Sequence, residues 1–84
     1  METDERLDLL LGLEGVQLRW KQWSQYSEKW DHDHCDGCHA EFSPTGLSEG
    51  FATTESYSFG ADYRWVCEQC FADFHDLLRW ERVP

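Results

Sequence analysis

Trp65-Val66-Cys67-Glu68-Gln69-Cys70-Phe71 carries two apolar residues into a Cys-x-x-Cys step and out into a helical pattern. Beyond it Phe71, Phe74, Leu77 and Leu78 recur at the spacing of one helix face, with Asp73, Asp76 and Arg79 on the other. Upstream, Cys35-Asp36-Gly37-Cys38 repeats the same step, with 28 residues separating Cys38 from Cys67. A Cys-x-x-Cys turn points two sulfurs to one side, so two such turns complete a tetrahedral four-sulfur site. Cys35, Cys38, Cys67 and Cys70 are therefore the expected ligands of one structural Zn2+ ion, with no position left open for a substrate.

The length of the chain calls for such a clamp. Eighty-four residues make a single domain, and a chain of that size buries only about 60–65% of the surface its unfolded form exposes. A structural zinc contributes on the order of 10–16 kcal/mol in small zinc-finger peptides. Five Trp, five Phe and three Tyr supply further buried area.

Between and before the two turns the signals are shorter. Thr3 is placed to cap a helix that carries Leu7, Leu10 and Leu11 on one face and stops near Gly12. Val16, Leu18 and Trp20 alternate with Gln17, Arg19 and Lys21, the pattern of a half-buried strand. Residues 22–34 are polar, aromatic and irregular. Pro44 and Gly46 mark a turn, and a hairpin is expected from strands near Gly50–Thr54 and Asp62–Val66 around a turn ending at Gly60. Trp80 either covers the edge of the core or sits exposed. The expected architecture is α+β, with residues 1–29 giving a helix and strand that pack on a metal-binding region, 30–84, in one domain.

That order of elements, a first turn of cysteines, a hairpin, then a strand entering a second turn that opens a helix, resembles the treble-clef and zinc-ribbon-like domains over residues 30–82. His32-Asp33-His34-Cys35 together with Trp65-Val66-Cys67-Glu68-Gln69-Cys70-Phe71 and Phe74 is also similar to a set of small bacterial proteins. Neither resemblance implies an activity, since treble clefs serve nucleic-acid binding, protein binding and purely structural roles.

Charge narrows the choice. Seven Lys and Arg against 17 Asp and Glu leave a formal charge of −10, which repels a phosphate backbone and suits a basic protein partner. No direct nucleic-acid binding is expected. The start, Met1-Glu2-Thr3-Asp4-Glu5, is acidic where a secretory leader is basic, and Leu9–Leu13 is too short for a membrane span. A cytoplasmic location follows as the expectation, where four cysteines serve metal rather than disulfides. The chain is read as a monomer or small homo-oligomer.

Two other chemistries share parts of the pattern. His39-Ala40-Glu41 followed by Cys67-Glu68-Gln69-Cys70 matches much of the zinc-deaminase signature. Val66 stands where that signature has proline, Pro44 and Gly46 interrupt the helix it needs, and only 14 residues follow Cys70. A rubredoxin-like iron carrier shares the acidic, aromatic composition and the paired Cys-x-x-Cys steps, but not the helical stripe after Cys70. The expected function is thus protein binding without catalysis, as an inhibitor, immunity factor or adaptor. His32, His34 and His39 are candidates to hydrogen-bond the metal ligands, and His75 is expected to be a partly exposed structural residue. Trp23, Tyr26 and Trp30, outside the periodic segments, are candidate partner-binding aromatics.

Overall fold

The computed structural model describes residues 4–25 and 27–84. Helix α1, Glu5–Leu10, is capped by Asp4, whose carboxylate accepts the Arg6 backbone N–H at 3.0 Å. The expected cap, Thr3, lies outside the described residues. The helix tightens into a 3-10 turn over Leu11–Leu13. Three residues per turn bring Leu13 beneath Leu10, so these two are buried and Leu11, expected on the apolar face, is exposed.

Strand β1, Gln17–Gln22, lies inside a four-stranded sheet. It pairs antiparallel with β4, Glu49–Thr53, in the register Leu18↔Thr53 to Gln22↔Glu49. On its other side it pairs in parallel with β6, Glu81–Val83, a strand no periodicity announced. Strand β5, Trp65–Val66, completes the sheet beside β4. The expected strand from Asp62 is shorter than its pattern for a local reason. The buried Thr53 hydroxyl accepts the N–H groups of Tyr63 and Arg64 at 3.1 and 3.2 Å and donates to Gly60 O. Those groups are thereby taken out of the ladder, and Asp62 adopts positive φ.

A second, two-stranded sheet pairs β2, Asp33–His34, with β3, Glu41–Phe42. Helix α2, Glu68–Phe74, starts at Cys67 and gives way to a turn in which Arg79 takes φ +55°. There the Trp80 N–H reaches His75 O at 3.1 Å and the Arg79 N–H reaches Asp76 O at 3.3 Å, the paired bonds of a Schellman ending. This ending turns Leu77 out to 61% exposure, correcting its place on the apolar stripe, while Leu78 stays buried. Trp80 covers the core edge, its indole N–H donating to Leu13 O at 3.0 Å.

The core joins all of these pieces. Leu10, Leu13, Leu18, Trp23, Phe42, Phe51, Trp65, Val66, Phe74, Leu78 and Trp80 form one buried cluster that includes three of the cysteines. Phe71 stacks on Phe51 with ring centroids 3.7 Å apart and is flanked by Trp80 and His75. His75 is accordingly half-buried against the stripe.

Candidate metal centre

The loop between β2 and β3 carries Cys35 and Cys38. Its closure is set by backbone bonds, Cys35 N–H to Ala40 O at 2.8 Å and His39 N–H to Cys35 O at 3.0 Å, with His39 at φ +66°. Across from it, β5 delivers Cys67 and the first turn of α2 delivers Cys70. The two loops are locked together by the Asp36 N–H on Trp65 O at 2.9 Å and by pairing of Cys35 with Trp65. The four Sγ atoms consequently lie within 4.8 Å of one another, with Cys38 and Cys67 at 3.5 Å. A tetrahedron with metal–sulfur bonds of about 2.3 Å has edges of about 3.8 Å, so the sulfurs are positioned to bind one metal ion.

Backbone donors converge on these sulfurs. Cys35 Sγ accepts from the N–H groups of Gly37 and Cys67 at 3.4 and 3.3 Å, and Cys67 Sγ accepts from Cys70 N–H at 3.4 Å, so that a cysteine sulfur caps α2. Gly37 sits in a close approach: a Cβ there would lie 3.0 Å from both Cys70 Sγ and Leu10 Cδ1, so these neighbours would have to give by a few tenths of an ångström. Burial pushes the Cys67 thiol up to about 11 and raises that of Cys70 as well. Burial acts in the same sense on Cys38, but hydrogen bonds from the Ala40 backbone and the neighbouring sulfurs outweigh it and hold that thiol below its ordinary value. Three of the cysteines are buried and Cys38 is exposed. A bound dication would supply the positive charge that favours the thiolate forms of these sulfurs.

Arg6, which the sequence did not mark, is a further member of the site. Its Nη1 lies 3.7 Å from Cys70 Sγ and 2.8 Å from Asp73 Oδ2, and its guanidinium sits over the Phe74 ring at 4.7 Å. Helix α1 thereby brings a cation to a sulfur 64 positions away in the chain. No spacing rule announces such a contact, since nothing in a helix start distinguishes this Arg from a solvated one.

The histidines stand outside the sulfur cluster. His32 Nδ1 is 2.7 Å from Asp31 Oδ1, a hydrogen bond that raises the imidazole's pKa, and its ring meets that of His34 edge-on. His39 is exposed. Among the described residues none of the candidate histidines His32, His34 and His39 hydrogen-bonds a cysteine sulfur. Glu41, on β3, accepts the Ser43 hydroxyl at 2.8 Å.

The aromatic candidates separate. Trp23 is buried, correcting its assignment as a partner-binding residue, and its indole N–H donates to Asp33 Oδ2 at 2.9 Å. The other oxygen of Asp33 accepts the Trp30 indole N–H at 2.8 Å. Trp30 is 38% exposed, and Tyr26 lies outside the described residues. Among the described residues no helix is long and apolar enough to cross a membrane. Comparison of the chain with models of protein families, with curated proteins and with solved structures found no match.

Proposed function

We propose that this chain is a small acidic protein-binding module, held together by one structural zinc and without catalysis of its own, that docks on a basic partner. The observation that carries the reading is the convergence of four sulfurs from two separate loops onto one point. A closed all-sulfur set favours zinc and presents no open coordination position, so the metal serves the fold. The flanking elements support a treble-clef-like reading: a first cysteine loop between β2 and β3, the β4–β5 hairpin, and a second cysteine pair at the start of α2. With four thiolates and a zinc dication the formal charge becomes about −12, which steers association with a basic surface, as inhibitor, immunity factor or adaptor.

The test is metal analysis by mass spectrometry on protein purified without added metal, with a visible spectrum, followed by capture of partners from lysate. One colourless zinc per chain, lost together with the folded state in Cys67→Ser, and recovery of a basic protein are the expected results. Iron with visible absorption that bleaches on reduction would replace this reading with the rubredoxin-like electron carrier. Turnover of a nucleoside, abolished by Glu41→Ala with zinc retained, would replace it with the deaminase.

A further inference from the structure

The turn between β4 and β5 gathers aromatic rings at the surface. Phe59 is 66% exposed, the largest exposure among the large apolar side chains described, and stacks on Tyr63 at 5.2 Å. Tyr63 meets Trp30 edge-on at 6.0 Å. Trp30, Phe59 and Tyr63, with Ala61 and Asp62, line a surface hollow of about 250 Å³. Trp30 and Tyr63 also wall an adjoining hollow of about 300 Å³, where Asp33, Asp36, His32, His34 and Arg64 stand.

Exposed rings are costly to leave in water, and in a monomer a cluster of them marks a contact surface. The surrounding charge indicates the occupant. Asp62 places a carboxylate in the wall; its Oδ2 holds Lys21 Nζ at 2.8 Å, while its Oδ1 makes no hydrogen bond among the described residues. Around both hollows Asp62 is paired with Lys21 and Asp36 with Arg64, and Asp33 stands as one carboxylate in excess of these fixed cations. The molecule itself provides a small example of the contact, since the Arg64 guanidinium sits over the Tyr63 ring at 5.3 Å. Aromatic faces attract cations through their quadrupole, and a nearby carboxylate adds a charge-assisted hydrogen bond. A second copy of this chain fits the patch poorly, because it would bring another formal charge of −10 against it.

We infer that the hollow walled by Trp30, Phe59, Tyr63 and Asp62 is the docking point for a cationic side chain, lysine or arginine, presented by a basic protein. This rests on the reading of the chain as a module for a basic partner and gives that reading its contact site. The residues come from two segments, 30 and 59–63, the first held by Asp33 and the second ordered by Thr53, and they meet at the Trp30–Tyr63 ring contact.

The experiment titrates the zinc-loaded 84-residue chain, labelled with 15N, with nona-arginine, nona-lysine and an uncharged nonaglutamine peptide. Shifts of the Trp30 indole N–H and of the Phe59–Tyr63 amides on adding a cationic peptide, with none for nonaglutamine, are expected. Phe59→Ser, at a side chain already in solvent, is expected to weaken binding about tenfold while zinc content is unchanged. Leu77→Ser, an exposed apolar residue elsewhere, is expected to bind as the parent does. Equal binding by Phe59→Ser and the parent would overturn the aromatic site while leaving the acidic-surface reading in place. Failure of both cationic peptides to bind at low ionic strength would overturn both. A parent dimer that Phe59→Ser converts to monomer would assign the patch to a second copy instead. Comparing the arginine and lysine peptides distinguishes the two cation sources.

Discussion

Asp33 does more than its place in a short strand suggests. One carboxylate accepts two indole N–H groups, from the buried Trp23 and the half-exposed Trp30, and so ties the core to the surface rings. In Asp33→Ala the Trp23 N–H would remain inside without a partner, a loss of about 1–3 kcal/mol. Urea unfolding of the zinc-loaded variant is the check, and an unchanged midpoint would mean that water satisfies the indole. At this scale the sequence was legible where chemistry depends on residue type and spacing. The four cysteines could be read directly, because Cys-x-x-Cys geometry is local. Trp23, Asp33 and Arg6 could not, since each is defined by a partner that only the tertiary fold supplies. Trp23 resembled Trp30 in the sequence, both being aromatics in an irregular polar stretch, and the fold gave them opposite environments.

Among the elements, those with a clear period were readable and those made by turns were not. The alternation around Leu18 and Trp20 located β1, and the stripe through Phe71 and Phe74 located α2. The ends of elements followed hydrogen bonds invisible to periodicity: the Thr53 hydroxyl shortened β5, and the 3-10 turn exchanged Leu11 for Leu13. Strand β6 is too short and charged to announce itself, and it forms because Trp80, anchored on Leu13, aims the chain along β1. The Schellman ending after α2 places Arg79 at φ +55°, a conformation that crowds any residue with a Cβ. Arg79→Gly is therefore expected to stabilise the protein by about 1 kcal/mol, less the extra chain entropy of glycine when unfolded. Thermal unfolding under saturating zinc measures it, and a lowered midpoint would show that the Arg side chain contributes more than its backbone strain costs.

For the molecule as a whole, the proposed metal is the joint between two sheets. The two-stranded β2–β3 sheet meets the four-stranded one around Cys35, Trp65 and the four sulfurs. Removing zinc with a strong chelator is expected to abolish the near-ultraviolet circular dichroism of the buried tryptophans, and adding zinc back to restore it. Persistence of that signal in demonstrably metal-free protein would show that the aromatic core suffices alone. The four ligands also differ in how they meet solvent: Cys35, Cys67 and Cys70 are enclosed, and Cys38 faces outward beside His39. A competing thiol or chelator therefore has one corner at which to begin. The lifetime of the loaded protein beside a metal scavenger would then follow the detachment of a single side chain, so that two variants of equal affinity, one altered at Cys38's surroundings and one elsewhere, would exchange their ion at very different speeds.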